Sequence, residues 1–165
     1  MHPVRHRRLL SDHAAAKAYI AASEGRIRME SATGSPPDTW IILFCCRSLS
    51  ALSAEGPTFT DRHYVKVQCS AAYPALAPFV TMLSPLVHPH VWDTGVLCQG
   101  TWNPSEKLDN LLQRIGSILT FDPAAINLRS VANNEAAEWI RPRMSLLPFA
   151  KSFPVPAHHH VESYV

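Results

Sequence analysis

Six large aliphatic residues, Leu108, Leu111, Leu112, Ile115, Ile118 and Leu119, recur at the three-and-four spacing of one helical face. Such a stripe needs an apolar partner surface, and a chain of 165 residues has room for one substantial core and little more. The ends of this helix are also marked. Asn103 can cap, Pro104 suits a first helical position and Glu106 can reach back as in a capping box. Phe121-Asp122-Pro123 ends it, because proline cannot continue a helix and disfavours helical backbone just before itself. What precedes reads as strand, so the stripe is expected to lie across a sheet.

Residues 5–23 read as a first helix. Alanine is abundant there, Leu9, Leu10, His13, Ala14, Ala16 and Ile20 fall near one face, and Gly25 can stop it. Strands are expected at about residues 26–31, at 39–48 after the turn ATGSPPD, at 64–70 after the loop SAEGPT, and at 79–83 between prolines. In the third, Val65, Val67 and Cys69 alternate with Lys66 and Gln68, the period of a half-buried strand. The reading is α+β: an N-terminal helix, a four-stranded antiparallel meander, an aperiodic segment from 84 to 102, then C-terminal helices. The last helix is expected from Asn133 or Asn134 to Pro142. Residues 1–143 are read as one domain. Residues 144–165, with Pro148, Pro154, Pro156 and three successive histidines at 158–160, are read as an extended or mobile tail.

A hydrophobic fraction of 47% with 17% charged residues suits a folded protein rather than a disordered one. Fourteen prolines against six glycines favour stiff, extended connections. The net charge of +2, with scattered basic residues and no interleaved aromatics, argues against nucleic acid. The run WIILFCC is too short to span a bilayer, and the basic opening MHPVRHRRLL is not followed by the apolar run of a signal peptide. The expectation is a soluble cytoplasmic protein with no membrane partner, whose cysteines are free thiols. Adjacent Cys45 and Cys46 point to opposite faces of a strand, and none of the four cysteines forms a CxxC pair, so no metal site is expected. Cys98 stands apart, in the aperiodic segment between Gly95 and Gly100 and ten residues after His88. By itself it reads as a buried filler, a metal ligand or a nucleophile.

The order of elements, together with several short motifs, resembles the ubiquitin-conjugating enzymes. Tyr73-Pro74, Pro78, Val80 and Pro85 are similar to that family's YP…PP segment and fourth strand. His88-Pro89 is similar to the start of its HPN tripeptide, and Gly95-Val96-Leu97-Cys98 to its active-site stretch. Trp102-Asn103-Pro104 resembles the W-(S/T)-P that opens its second main helix, and Phe121-Asp122-Pro123 the DP that closes it. Asn134-Glu135-Ala136-Ala137 resembles the start of the next helix. The resemblance spans about residues 5–143 and is sharpest over 73–123. This chain departs from the pattern at His90, where the family has Asn, and at Gly100, where eukaryotic members often have Asp. It also has a shorter segment between Cys98 and Trp102, and Asn127 nearest the position of the acidic or serine gate. These departures are similar to the divergent conjugating enzymes of bacteria, which sit in operons with an activating enzyme, a ubiquitin-like protein and a protease, some of them directed against phage.

The resemblance implies a carrier reaction in which Cys98 accepts a ubiquitin-like modifier as a thioester from an activating enzyme and passes it to an amine of a target protein. ATP and magnesium would be used by the activating enzyme, and this chain would need no cofactor of its own. It further implies His90 as oxyanion donor or base, with His88, Pro89, Gly95, Trp102 and Asn127 supporting the active-site loop. Arg5, Arg7 and Arg8 on the first helix would dock the activating enzyme. Two other readings remain open here. One is an inactive module of the same fold that binds a ubiquitin-like protein. The other is a thiol or metal hydrolase using Cys98 with His88 or His90, for which Asp93 is the nearest orienting acid.

Overall fold

The computed structural model describes residues 2–157, so the histidines at 158–160 lie outside the described residues. The chain opens with helix α1 (Pro3–Ala22), whose N-terminus is capped by the His2 ring. Its buried face is Leu9, Asp12, Ala16 and Tyr19. Leu10, expected on that face, is half exposed. The face is rotated because Asp12 is drawn inside. Its carboxylate accepts from Arg8 Nε at 2.7 Å, from the Tyr73 hydroxyl and from the Leu108 amide at 3.2 Å. A buried carboxylate needs partners of this kind.

Six strands follow: β1 (Ile27–Gly34), β2 (Pro37–Phe44), β3 (Ser48–Ser53), β4 (Gly56–Thr60), β5 (His63–Gln68) and β6 (Phe79–Met82). The main sheet is antiparallel with order β1-β2-β5-β6, the expected four-stranded meander. Its register sets Trp40 opposite Val67 and Val67 opposite Val80, with Ile42, Val65 and Met82 in the next core row. Alternation sends these residues to one face. The separate hairpin β3–β4 replaces what reads in the sequence as a loop. Serines and a single apolar residue per turn hide it. It is held because Leu49 is buried beside Phe121 and Ile140, away from the main core.

Helix α2 (Leu108–Leu119) lays its aliphatic stripe on Trp40, Ile42, Phe44, Val65, Val67 and Val80 in one cluster. Each such side chain contributes roughly 1.5–3 kcal/mol on burial. The helix starts at Leu108 rather than at the expected Pro104. Only half of the capping box forms, Asn103 N donating to Glu106; the Asn103 side chain accepts from Ser105 N instead, and the bonds close a separate turn. Lys107 is extended, and the carboxylate of Asp12 takes the first helical amide instead. Helix α3 (Asn134–Ile140) starts as expected, with the Asn133 side chain accepting from Ala136 N at 3.0 Å. Among the described residues, no helix is long and apolar enough to cross a membrane.

After a 3-10 turn at Arg141–Leu146, the chain runs extended back across the molecule. It is packed, not loose. The Phe153 ring stands edge-on to Phe44 at 6.0 Å, under the Arg26 guanidinium at 3.8 Å, and is 2% exposed. Tyr19 and Arg26 bond the carbonyls of Pro154, Ser152 and Lys151. The sequence reads here as an extended or mobile tail; as far as residue 157 it is extended, and one buried aromatic packs it against the core.

Candidate active site

Beyond β6 the chain makes a tight turn that leads directly to Cys98. Trp92 N bonds Val96 O at 2.9 Å, Gly95 N bonds Trp92 O at 2.8 Å, and Val91 pairs with Leu97. Gly95 has φ of +86°, and a Cβ there would stand 3.1 Å from the Met82 carbonyl, so the position calls for glycine. Met82 N to Gly95 O and Leu97 N to Val80 O stitch the turn to the edge of β6. Leu97 is buried, and the next side chain, Cys98, is exposed.

His88-Pro89-His90 forms the hub that fixes this segment. His88 Nδ1 accepts from His90 N at 2.9 Å. The Pro89 carbonyl accepts from Ala132 N at 2.7 Å and Asn133 N at 3.0 Å, and the His90 carbonyl accepts from Cys98 N at 2.7 Å. The His90 ring accepts the Asn127 amide at Nε2, at 3.1 Å. Three consecutive residues therefore tie Cys98 to the loops at 127 and 132. The bond from Asn127 puts the proton of a neutral His90 on Nδ1, leaving one N–H to donate. Its Nε2 lone pair is spent, which weighs against His90 as a base through that atom. Burial lowers the His90 pKa and pushes that of His88 down to about 3. His88 is wholly buried between the rings of Phe121 at 4.6 Å and His90 at 5.5 Å, a structural position.

The other cysteines are differently placed. Cys46 and Cys69 are buried, and burial pushes both thiols up to about 12, while Cys45, just past the end of β2 rather than within a strand, is half-buried. A thiol in such a state is a poor nucleophile at neutral pH. Cys98 opens into a cavity of about 450 Å³ whose lining includes His90, Gln99, Asn110, Arg114 and Asn127. Trp102 does not line the cavity; its Nε1 donates to the Pro74 carbonyl at 2.8 Å and its ring is 5.9 Å from Tyr73. Asn127 is exposed at the rim, and its Oδ1 accepts from Arg129 N at 3.0 Å, bracing its own turn. Asp93 is exposed on the turn before Cys98. Among the described residues, no group of three His, Cys, Asp or Glu side chains is placed to hold a metal.

Of the three helical arginines expected to dock a partner, two are committed inside the molecule. Arg5 bonds Asp38 at 3.2 Å and the carbonyls of Cys69 and Ser70. Arg8 bonds Asp12 and the carbonyls of Pro104 and Glu106, with its guanidinium over the Tyr73 ring. Apart from Asp12, one helical turn from Arg8, the acceptors lie far away in sequence, so charge alone could not reveal them. Arg7 is exposed. Sequence reasoning also passed over Asp12, Glu106 as an ion-pair partner, and Arg114. An acid or base breaking into an apolar helical period is the signal that could have marked Asp12.

No family model matches the chain. Three curated proteins named ubiquitin-conjugating enzyme E2 2 are similar to it. Those of Debaryomyces hansenii and Candida albicans are 37% identical over 75 residues and 36% over 78, which is 43% and 45% of this chain and 42% and 41% of theirs. That of Mycosarcoma maydis is 39% identical over 77 residues, 44% of this chain and 40% of its own. The chain thus spans less than half the length of the curated relatives it matches. A solved structure described as a ubiquitin conjugating enzyme from Trypanosoma cruzi superposes with a TM-score of 0.61, covering 84% of this chain and 92% of that one at 17% identity. At that identity the likeness speaks for the fold. In sequence over part of its length and in fold over most of it, the chain is similar to ubiquitin-conjugating enzymes.

Proposed function

We propose that the protein carries a ubiquitin-like modifier on Cys98 between an activating enzyme and a target amine. The observation that carries this reading is the contrast among the cysteines. Two are buried and one half-buried, while Cys98 alone is exposed, at the mouth of a cavity and held by the backbone of His90. The Cys98 thiolate attacks the modifier's thioester carbonyl. A new C–S bond forms as the old one breaks, and the activating enzyme's cysteine leaves as thiolate. An amine then attacks the Cys98 thioester, forming the C–N bond and releasing Cys98, with the amine proton passing to solvent. Dividing acyl transfer in this way lowers each barrier. Each step develops an oxyanion, for which the remaining Nδ1–H of His90 is a donor, a role typically worth about 3 kcal/mol.

The activating enzyme meets the exposed basic part of α1, represented by Arg7, since Arg5 and Arg8 are engaged elsewhere. The substitutions His90 and Gly100 support a place among the bacterial-type conjugating systems, including those that counter phage, and a cytoplasmic setting follows from that placement. In the test, the purified protein is mixed with the activating enzyme encoded beside it, the neighbouring ubiquitin-like protein and ATP-Mg. A heavier band on a non-reducing gel that reductant removes, present in the native protein and absent in Cys98→Ala, is the expected result. Cys98→Ser should give a reductant-resistant ester. An activating enzyme that is itself charged, with no band on the native protein, would overturn the carrier role.

A further inference from the structure

Arg114 lies on α2 at the border of the aliphatic stripe, one turn before Ile118, and lines the cavity that Cys98 opens into. Its Nη1 donates to the carbonyl of Gln99, the residue after the nucleophile, at 3.3 Å, and its Nη2 pairs with the Glu106 carboxylate. Glu106 in turn accepts from Asn103 N at 3.4 Å. One guanidinium thus joins the helix to both ends of the segment between Cys98 and the turn at 103–106. Arg8 holds the far end of that segment through the carbonyls of Pro104 and Glu106. Gly100 has φ of +80° and no atom within 4 Å of where a Cβ would stand, so its own packing does not restrain it. Gln99 Nε2 to Pro78 O and Trp102 Nε1 to Pro74 O anchor its outer side.

Both partners of the pair are mostly buried, with side chains 28% and 14% exposed, and burial works against the charge on Arg114. Buried ion pairs seldom stabilise a fold more than apolar side chains of the same volume would. What a two-pronged guanidinium supplies is fixed geometry.

We propose that Arg114, held by Glu106, is a positioning residue for acyl transfer from Cys98: it locks the Gln99 carbonyl and thereby the wall along which the thioester lies. The inference rests on the carrier reading and adds to it. Loading requires only that the thiolate reach an outside carbonyl. Discharge requires the bound thioester to be presented to the amine in one orientation, and misplacement by about 1 Å can cost about 100-fold. Loss of the clamp therefore slows discharge and spares loading.

The probe is a short peptide bearing a mercaptoethanesulfonate thioester, which needs neither modifier nor activating enzyme. Acylation of Cys98 is followed by intact mass, then discharge onto free lysine, for the native protein, Arg114→Gln, Glu106→Gln, the double variant and Arg114→Lys, with melting curves as a check on folding. The expected result is loading within about twofold and discharge slowed about tenfold in each single variant. The double variant should be no slower, because residues that act as one unit are not additive. Lysine should fail to restore the rate, since one ammonium cannot span both acceptors. Discharge at the native rate, additive losses, or full rescue by lysine would each overturn the positioning role while leaving the carrier reading in place. A native Cys98 that takes no acyl group would overturn the carrier reading itself.

Discussion

His88 shows what a single residue contributes here. It is wholly buried, its Nδ1 accepts the amide of His90, and burial depresses its pKa to about 3. In the unfolded chain the same ring titrates near 6.5. Between those values the unfolded state binds the extra proton, so the folded state loses up to about 1.4 kcal/mol per pH unit as pH falls below about 6.5. The contribution is fully present above that pH. Burial lowers the pKa of His63 and His90 in the same direction. The urea midpoint is therefore expected to drop steeply from pH 7 to pH 4.5, and His88→Gln, less stable at pH 7, should show a visibly flatter profile. Equal slopes for the two proteins would sink this account. The pair His88-Pro89 was legible as a motif. The resemblance also implied a supporting role for His88, but that its ring packs on Phe121 and that His90 gives its acceptor nitrogen to Asn127, 37 residues further on, was not legible.

At the scale of elements, the joint between α2 and the C-terminal strap has the clearest physical signature. Gly116 sits in the middle of a helix, where glycine normally costs about 1 kcal/mol against alanine. A Cβ there would come within 2.6 Å of the Phe153 ring, so the helix gives up propensity to admit the strap. Gly116→Ala is expected to destabilise the native protein by about 1–3 kcal/mol through overpacking. Phe153→Ala should cost about 3–5 kcal/mol. In the Phe153→Ala background, Gly116→Ala should reverse sign and stabilise. A chemical-denaturation cycle of the four proteins reads this directly, and a destabilising Gly116→Ala in both backgrounds would refute the packing argument. The strap also reaches the candidate site, since Ser152 Oγ donates to Asp122 Oδ2 at 2.9 Å while Asp122 Oδ1 caps Ala124 N.

For the molecule as a whole, net charge says little and the distribution of free charge says more. Arg5 and Arg8 hold α1 to the strand and turn beside it, so the field that α1 offers a partner comes from groups such as Arg7. Complementary charge mainly raises association rate and is screened by salt. Arg7→Glu should therefore slow charging of Cys98 by the activating enzyme severalfold at low ionic strength, with the difference shrinking at about 0.5 M salt. Discharge onto lysine should be unchanged. An unchanged charging rate at low salt would remove Arg7 from the docking surface.

The sequence by itself determined the elements whose signal is local. The aliphatic period fixed α2 and its core face, alternation marked β5, and Asn133 marked the start of α3. Tertiary structure decided what depends on groups far apart in the chain. Asp12 rotates the buried face of α1 and takes the first amide of α2 across 96 residues. Leu49 makes a hairpin of an apparent loop by meeting Phe121 and Ile140. Phe153 turns a proline-rich tail into part of the core, and Arg114 closes the wall beside Cys98. Local periodicity records which face is apolar. It carries no record of which buried polar group a distant residue will satisfy, and in this protein those long-range bonds orient the segment bearing Cys98.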